Sequence, residues 1–471
     1  MNAVEKLTAA GFGAAEVRDW LTSVERLQWG ENAPARTLDA QAAAAAEAIL
    51  RGWSFLEKLP RRSRRTPAER AAGETIVRET TEITRRLTRA YREPIYDALS
   101  DGFRRHVRVD DLVYAAAERW PGLVPTRAQV REEAERMLAD KDGLEIFQGC
   151  FISELLASPR IGLHMVNGML RPTPEALERI AEFERTGAID LGYTRVEARG
   201  ETGYVYFKNP RYLNAEDWES LGPQETAVDL VLLHRGLKMG VLRGDYVDHP
   251  RYKGRRVFDA GLNLTKVYHG KLPYLFYIVR DLGLVNKLYR GHALADYAPD
   301  LPEETREKPW MAVVEAFAIG GGCQLLLVMD YVLAETGAYF NLPARKEGII
   351  PGAANLRLPR FVGERQARAG IMFDKTFAVD SPEASLMINE VVPRDQIEAA
   401  IERVVATAVG SGMVSAAGNR RALRVQTEPI DTFRRYMAVY AYEQAWCHLS
   451  EQLVQNLERH WNAKQRRLAE A

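Results

Sequence analysis

Three short segments carry residues able to do chemistry. The run Ala318-Ile319-Gly320-Gly321-Gly322-Cys323-Gln324-Leu325-Leu326-Leu327 is a β-like stretch that ends in three glycines and turns at once into an apolar helix. Glycine permits close backbone approach and unusual dihedrals. A helix N-terminus presents unpaired N–H groups at the positive end of its dipole. Together these features make a place where a developing oxyanion is stabilised. The same glycines also suit a tight turn that needs them only for packing, and both readings stand at this point. The run is no dinucleotide fingerprint, since the G-x-G-x-x-G spacing is absent, and no Walker loop, since no Gly-Lys-Ser/Thr follows. A second segment, Val257-Phe258-Asp259-Ala260-Gly261-Leu262-Asn263-Leu264, reads as a short apolar strand that ends at a glycine before a helix. A third is Phe340-Asn341-Leu342-Pro343-Ala344-Arg345-Lys346-Glu347-Gly348-Ile349-Ile350-Pro351-Gly352-Ala353.

The elements that must position these segments alternate apolar strands with helical stretches, as in 309–319 and 331–342, which indicates an α/β domain. That texture begins near Leu191. There 193–198 and 204–207 are β-rich and flank Arg199-Gly200-Glu201-Thr202-Gly203, a hairpin signal. The front of the chain reads as helical. Thr37-Leu38-Asp39 opens an alanine-rich helix ending near Leu59. Thr66-Pro67-Ala68-Glu69 supplies an N-cap, a first-position proline and an early acid, and predicts a long helix toward Tyr96. Thr173-Pro174-Glu175-Ala176 repeats the signal, with Gly187 as its stop. From Asp395 the chain is helical again, and Tyr436, Tyr440 and Gln444 share a helix face that suits a core or a subunit interface. The expected organisation is a helical domain over 1–190, an α/β core over 191–394 and a helical, oligomer-forming segment over 395–471.

Composition excludes several classes. Lys and Arg number 64 against 64 Asp and Glu, so there is no basic surplus to bind nucleic acid or an anionic membrane strongly. With 46% hydrophobic and 27% charged residues, wholesale disorder is excluded. Cys150, Cys323 and Cys447 form no Cys-X-X-Cys pair, which argues against a disulfide scaffold or thiolate zinc site and fits a reducing cytoplasm. The histidines form no i, i+4 pair, so no metal is expected. The apolar run 310–329 contains Glu315, three glycines and Gln324, which fits strand, turn and buried helix better than a membrane span. No secretory signal is expected at the N-terminus.

In this order the F-x-A-G, G-G-G-C-x-L and I-P-G-A pieces resemble the crotonase (enoyl-CoA hydratase/isomerase) superfamily, over roughly 194–393. The resemblance implies a crotonase-like α/β core of ββα spiral repeats between a helical N-terminal domain and a helical C-terminal segment. It implies two backbone N–H donors that hold the thioester oxygen of an acyl-CoA and stabilise its enolate. Here these are Leu262, after the first glycine, and Gly321, with Ala260, Gly261, Asn263, Leu264, Gly320 and Gly322 beside them. It also implies a homotrimer or hexamer.

Hydratases of the superfamily place one glutamate just after the G-G-x pair and another after the later proline. Gln324 and Ala344 occupy those positions here. Glutamine is no general base at ordinary pH and alanine offers no titratable group. Glu347 lies three residues further on and would face another way on a helix. With the helical extension, this pattern resembles the oxygen-using branch of the superfamily, which oxidises an aromatic acyl-CoA with O2 and no metal or organic cofactor.

That resemblance implies Glu216 meeting phenolic hydroxyls, Arg280 lying against the aromatic ring as a cation–π and charge partner, Gln324 hydrogen-bonding in the pocket and His249 contacting the CoA portion. Local chemistry leaves other roles open. Glu216 also suits a helix's first turn, Arg280 an ion pair with a neighbouring acid, and His249 a plain surface loop. Lys253, Arg255 and Arg256 form a basic run that suits either the CoA phosphates or a solvated face. The base that removes the α-proton is either Glu216 or an ionised substrate phenol. Thioester hydrolysis, isomerisation and acyl-CoA binding without turnover are the competing functions.

Overall fold

A computed structural model describes residues 1–27, 29, 37–294, 305–410 and 412–468. The chain forms two compact units that interleave in sequence. One comprises Met1–Met165, Lys266–Leu275 and Met437–Glu458; the other comprises Val166–Thr265, Phe276–Tyr436 and Arg459–Ala471.

The first unit is built of helices. Its longest, Pro67–Ser100, starts where the proline and caps require: Thr66 Oγ1 accepts the Glu69 N–H, and the Glu69 carboxylate accepts the Thr66 N–H. It bends at Tyr91 (φ −120°), because Pro94 lacks an N–H and its ring crowds the carbonyl one turn earlier. Ile76, Thr80, Ile83, Thr84 and Leu87 are buried along it at helical spacing. The helix Leu38–Leu56 approaches so closely that a β-carbon on Gly52 would meet Thr80 Cγ2 at 2.4 Å. Trp20 is fully buried nearby and donates its indole N–H to Ala48 O at 2.9 Å.

The second unit holds the sheets. Strands Ala188–Asp190, Thr194–Arg199 and Thr202–Phe207 run antiparallel, the last two forming the expected hairpin. The sheet continues in parallel through Met239–Gly244, Trp310–Val314, Tyr331–Glu335 and Glu390–Val392, making seven strands. Tyr204, Tyr206, Val241, Met311, Val313 and Leu333 alternate onto one face and pack against Ile397, Ile401 and Val404. Those three lie on the helix Ile397–Gly410. A second, three-stranded sheet contains Phe317–Ile319, Tyr339–Asn341 and Phe377–Ala378. The run 310–329 thus folds as two strands and the helix Gly321–Leu326, and no helix among the described residues is long and apolar enough to cross a membrane.

The segment 257–263 departs from the expected strand. Asp259 bridges Ala318 while Leu262 bridges Glu216. The run switches neighbours within three residues, so no continuous ladder forms and its backbone stays irregular until the helix Leu264–Tyr268.

Candidate active site

The two glycine segments meet backbone to backbone. Gly261 has φ +78°, and a β-carbon on it would lie 2.6 Å from Ile319 O and 3.0 Å from Gly321 N. Glu216 clamps the first segment: its N–H donates to Gly261 O (2.7 Å) and its carbonyl accepts the Asn263 N–H (2.8 Å). In such a parallel bridge the intervening N–H points the other way. Leu262 N–H accordingly donates to no group among the described residues. Gly321 opens the helix Gly321–Leu326, where first-turn N–H groups have no intrahelical acceptor. Its N–H is likewise unpaired among the described residues, whereas Gly320 N–H donates to Asn341 O at 2.8 Å.

Each glycine of the turn has its own reason. Gly320 has φ +53°, a left-handed conformation. A β-carbon on Gly321 would stand 2.1 Å from Glu216 Oε2, and one on Gly322 would stand 2.7 Å from Asp259 Cβ. Close packing and a backbone donor left unpaired among the described residues are therefore two aspects of one turn.

Arg280 joins the parts of the site. It ends the helix Leu275–Arg280, after which the chain widens into a π-helical turn, Asp281–Val285. Such wide turns recur at functional sites. Arg280 Nε donates to Glu216 Oε1 (3.0 Å) and Oε2 (2.9 Å), and the closest approach of the ion pair is 2.8 Å. Nη1 donates to Gln324 Oε1 at 2.9 Å and Nη2 to Gly321 O at 3.0 Å. Both charged residues are buried, at 1% (Glu216) and 3% (Arg280) exposure. Burial lifts the Glu216 carboxyl above its ordinary value against the pull of Arg280. Burial also works against the Arg280 charge, but Glu216 and Asp281 outweigh it and keep the guanidinium protonated.

The third motif segment closes over this group. A β-carbon on Gly352 (φ +45°) would fall 2.4 Å from Gln324 Oε1 and 2.7 Å from Asp281 Oδ2. The Tyr436 hydroxyl donates to Gly352 O. All three sequence motifs, with Glu216, Arg280 and Gln324, therefore converge in one place. Asn263 stands beside them, its Nδ2 donating to Asp217 Oδ2 at 3.0 Å. Ala260, Leu262, Gly320 and Gln324 are partly exposed, whereas Leu264 and Gly322 are buried. Ala344 is buried at the start of the short helix Ala344–Glu347, and burial with the Asp374 charge raises Glu347 to about 7.

The remaining sequence candidates lie apart from the Arg280 hydrogen bonds. His249 Nδ1 accepts the Arg251 N–H (3.2 Å) and so caps the turn Pro250–Tyr252. Arg255 pairs with Glu335 at 2.6 Å. Arg256 pairs with Asp245 at 2.8 Å and lies over the Tyr246 ring at 4.1 Å. Lys253 is exposed, with no ion pair among the described residues. Among the described residues no group of three or more His, Cys, Asp or Glu is placed to hold a metal ion.

One further residue, Asp259, joins the two glycine segments without a motif of its own. It is fully buried, and its Oδ1 accepts the Gly261 N–H at 2.5 Å. The available signal was an acid in the otherwise apolar run Val-Phe-Asp-Ala-Gly.

Residues 303–444 match the family model for enoyl-CoA hydratase/isomerase. The chain is 45% identical over 405 residues to (3,5-dihydroxyphenyl)acetyl-CoA 1,2-dioxygenase of Amycolatopsis orientalis, covering 85% of this chain and 92% of that protein. Among solved structures it is similar to an enoyl-CoA hydratase from Mycobacterium avium subsp. paratuberculosis K-10, with a TM-score of 0.48 and 19% identity over 57% of this chain and 99% of that one. An enoyl-CoA hydratase from Bacillus halodurans gives a TM-score of 0.46 and 16% identity over 57% of this chain and 100% of that one. With a relative this similar over nearly its whole length, the chain belongs to the enoyl-CoA hydratase/isomerase, or crotonase, family.

Proposed function

We propose that this protein is an acyl-CoA dioxygenase, an oxidoreductase that converts (3,5-dihydroxyphenyl)acetyl-CoA and O2 to 3,5-dihydroxyphenylglyoxylate and free CoA, with neither metal nor organic cofactor. The arrangement around Arg280 carries this reading. Two N–H groups left unpaired among the described residues, at Leu262 and Gly321, accompany Gln324 and Ala344 where a hydratase has carboxylates. The 45% identity to the Amycolatopsis dioxygenase supports it.

In this reading the thioester oxygen lies between the two N–H donors, each contributing about 3 kcal/mol to the enolate. Glu216 accepts hydrogen bonds from the phenolic hydroxyls. Arg280 holds Glu216 in place and presents its charge to the ring. Gln324 fills a hydratase carboxylate position without adding negative charge. Loss of one α-proton, to Glu216 or to an ionised phenol, leaves an electron-rich enolate that passes one electron to O2. The two radicals join at the α-carbon as a peroxide. Its terminal oxygen attacks the thioester carbonyl, the C–S bond breaks and CoA leaves as thiolate. Loss of the second α-proton with O–O cleavage gives the ketone and the carboxylate, so both oxygen atoms remain in the product. His249 and Lys253 would meet the CoA portion, as would Arg255 and Arg256 if they release their carboxylates. Assembly as a homotrimer or hexamer, through the helical segment 395–471, and a cytoplasmic location complete the reading.

Oxygen uptake by metal-stripped protein given this thioester is the test. Turnover unaffected by chelator is expected. Loss of turnover on chelation would remove cofactor independence, and CoA release without oxygen uptake would make the protein a thioesterase.

A further inference from the structure

We propose that Asp259 is a positioning residue that sets the two backbone donors against each other, and that it does so as a neutral carboxylic acid. Its Oδ1 accepts the Gly261 N–H at 2.5 Å, which holds the turn that carries the Leu262 N–H. Its main chain is tied to the other donor segment: Asp259 O accepts the Ile319 N–H at 3.0 Å, and Asp259 bridges Ala318. Its Cβ stands 2.7 Å from where a β-carbon of Gly322 would be, so the helix that begins at Gly321 starts directly against it. Asp259 thus joins the two donor segments, its carboxyl holding the Gly261 turn and its main chain holding Ala318–Ile319, and through it the separation of the donors is set.

The surroundings favour the neutral form. Asp259 is 0% exposed and its Oδ2 has no hydrogen-bond partner among the described residues. A buried carboxylate with an unpaired oxygen is costly, and such a group keeps its proton instead. The charged groups that reach it are Glu216, which repels a second negative charge, and Arg280, which is already bound to Glu216. Burial, with Glu216 behind it, pushes the Asp259 carboxyl well above the usual carboxylate range. Asp259 thereby accepts a hydrogen bond without adding charge beside a developing enolate.

The turnover part of the test rests on the proposed dioxygenase reaction; the spectroscopic part does not. The probe is phenylacetyl-CoA, which has no ring hydroxyls, and the readout is the infrared stretch of its bound thioester carbonyl. Wild type should lower that frequency, Asp259→Asn should lower it equally, and Asp259→Ala should lose most of the shift. With the dihydroxy substrate, Asp259→Ala should reduce kcat roughly 10- to 100-fold while KM changes little, as expected of misplaced donors. Asp259→Asn, an uncharged acceptor of the same shape, should keep kcat near wild type. An infrared band of a protonated carboxyl, present in wild type and absent from Asp259→Asn, checks the neutral form even if the alanine variant does not fold. Full carbonyl shift and kcat in Asp259→Ala would overturn the positioning role. Loss in Asp259→Asn equal to that in Asp259→Ala, or no protonated-carboxyl band, would overturn the neutral form. A carbonyl shift that depends on Asp259 in a protein that consumes no oxygen would sink the dioxygenase reading and leave this one standing.

Discussion

A β-carbon on Gly321 would stand 2.1 Å from Glu216 Oε2 and 3.1 Å from Arg280 Nη2. The glycine therefore protects the ion pair as well as supplying an N–H. In the proposed reaction these are two demands on one residue: a donor for the thioester oxygen, and room for the carboxylate that meets the phenols.

Gly321→Ala should lower kcat for oxygen uptake roughly 100-fold or more, the scale of losing an oxyanion donor. The methyl group must displace either Glu216 or the start of the helix. Circular dichroism should stay at wild type, since the change touches only the short helix Gly321–Leu326 and alanine favours helix. Wild-type kinetics in this variant would take Gly321 out of the site.

Gln324→Glu should cut oxygen uptake about tenfold, on the scale of losing or misplacing one catalytic contact. The new carboxylate would bind Arg280 Nη1, now 2.9 Å from Gln324 Oε1, and compete with Glu216 for the guanidinium. It should create no enoyl-CoA hydratase activity, because Ala344 still lacks the second carboxyl. Unchanged uptake would show that Gln324 stands outside the reacting pocket.

How much of this was legible in the sequence depends on range. The cap Thr66-Pro67-Ala68-Glu69 and the stop at Gly187 are local chemistry, and the helices Pro67–Ser100 and Pro174–Thr186 begin and end nearly as those residues require. The three glycine-bearing motifs were legible for the same reason, each being a short turn with its own signature. The bend at Tyr91 was missed although Pro94 is its cause, because the strong start signal and regular spacing carried the expectation through. Asp259 stayed hidden because its meaning depends on Gly322 and Glu216, residues 63 and 43 positions away in opposite directions. The inclusion of Lys266–Leu275 and Met437–Glu458 in the helical unit has no local signature, since packing between segments far apart in the chain decides it.

Stability should depend on pH through Glu133, in the helical unit. Burial, with Glu145 behind it, raises this carboxyl from 4.5 to about 7. The folded state therefore binds the proton more tightly than the unfolded state. Its contribution is complete below pH 4.5 and is lost as pH rises through about 7. Glu133→Gln should raise Tm relative to wild type at pH 8 and leave it unchanged at pH 4. Equal Tm differences at both pH values would contradict this.

Glu428 shows the opposite sign. It is fully buried and meets Arg357 at 2.9 Å, Arg360 at 2.8 Å and Arg290 at 3.3 Å. Burial alone would raise its carboxyl, but these arginines, Arg357 first, bring it down to about 2. The stability it supplies is present above its unfolded value of 4.5 and disappears as pH falls toward 2. Glu428→Gln should cost about 3–5 kcal/mol in urea unfolding at neutral pH, the scale of breaking a buried pair. A loss too small to measure would mean that the arginines find other partners.

The stoichiometry of oxygen against CoA tests the proposed chemistry most directly. Metal-stripped protein is given (3,5-dihydroxyphenyl)acetyl-CoA in a chamber that records dissolved oxygen while a thiol reagent records released CoA. One O2 consumed for each CoA released, undiminished by chelator, is the predicted result. CoA released with no oxygen consumed would contradict it.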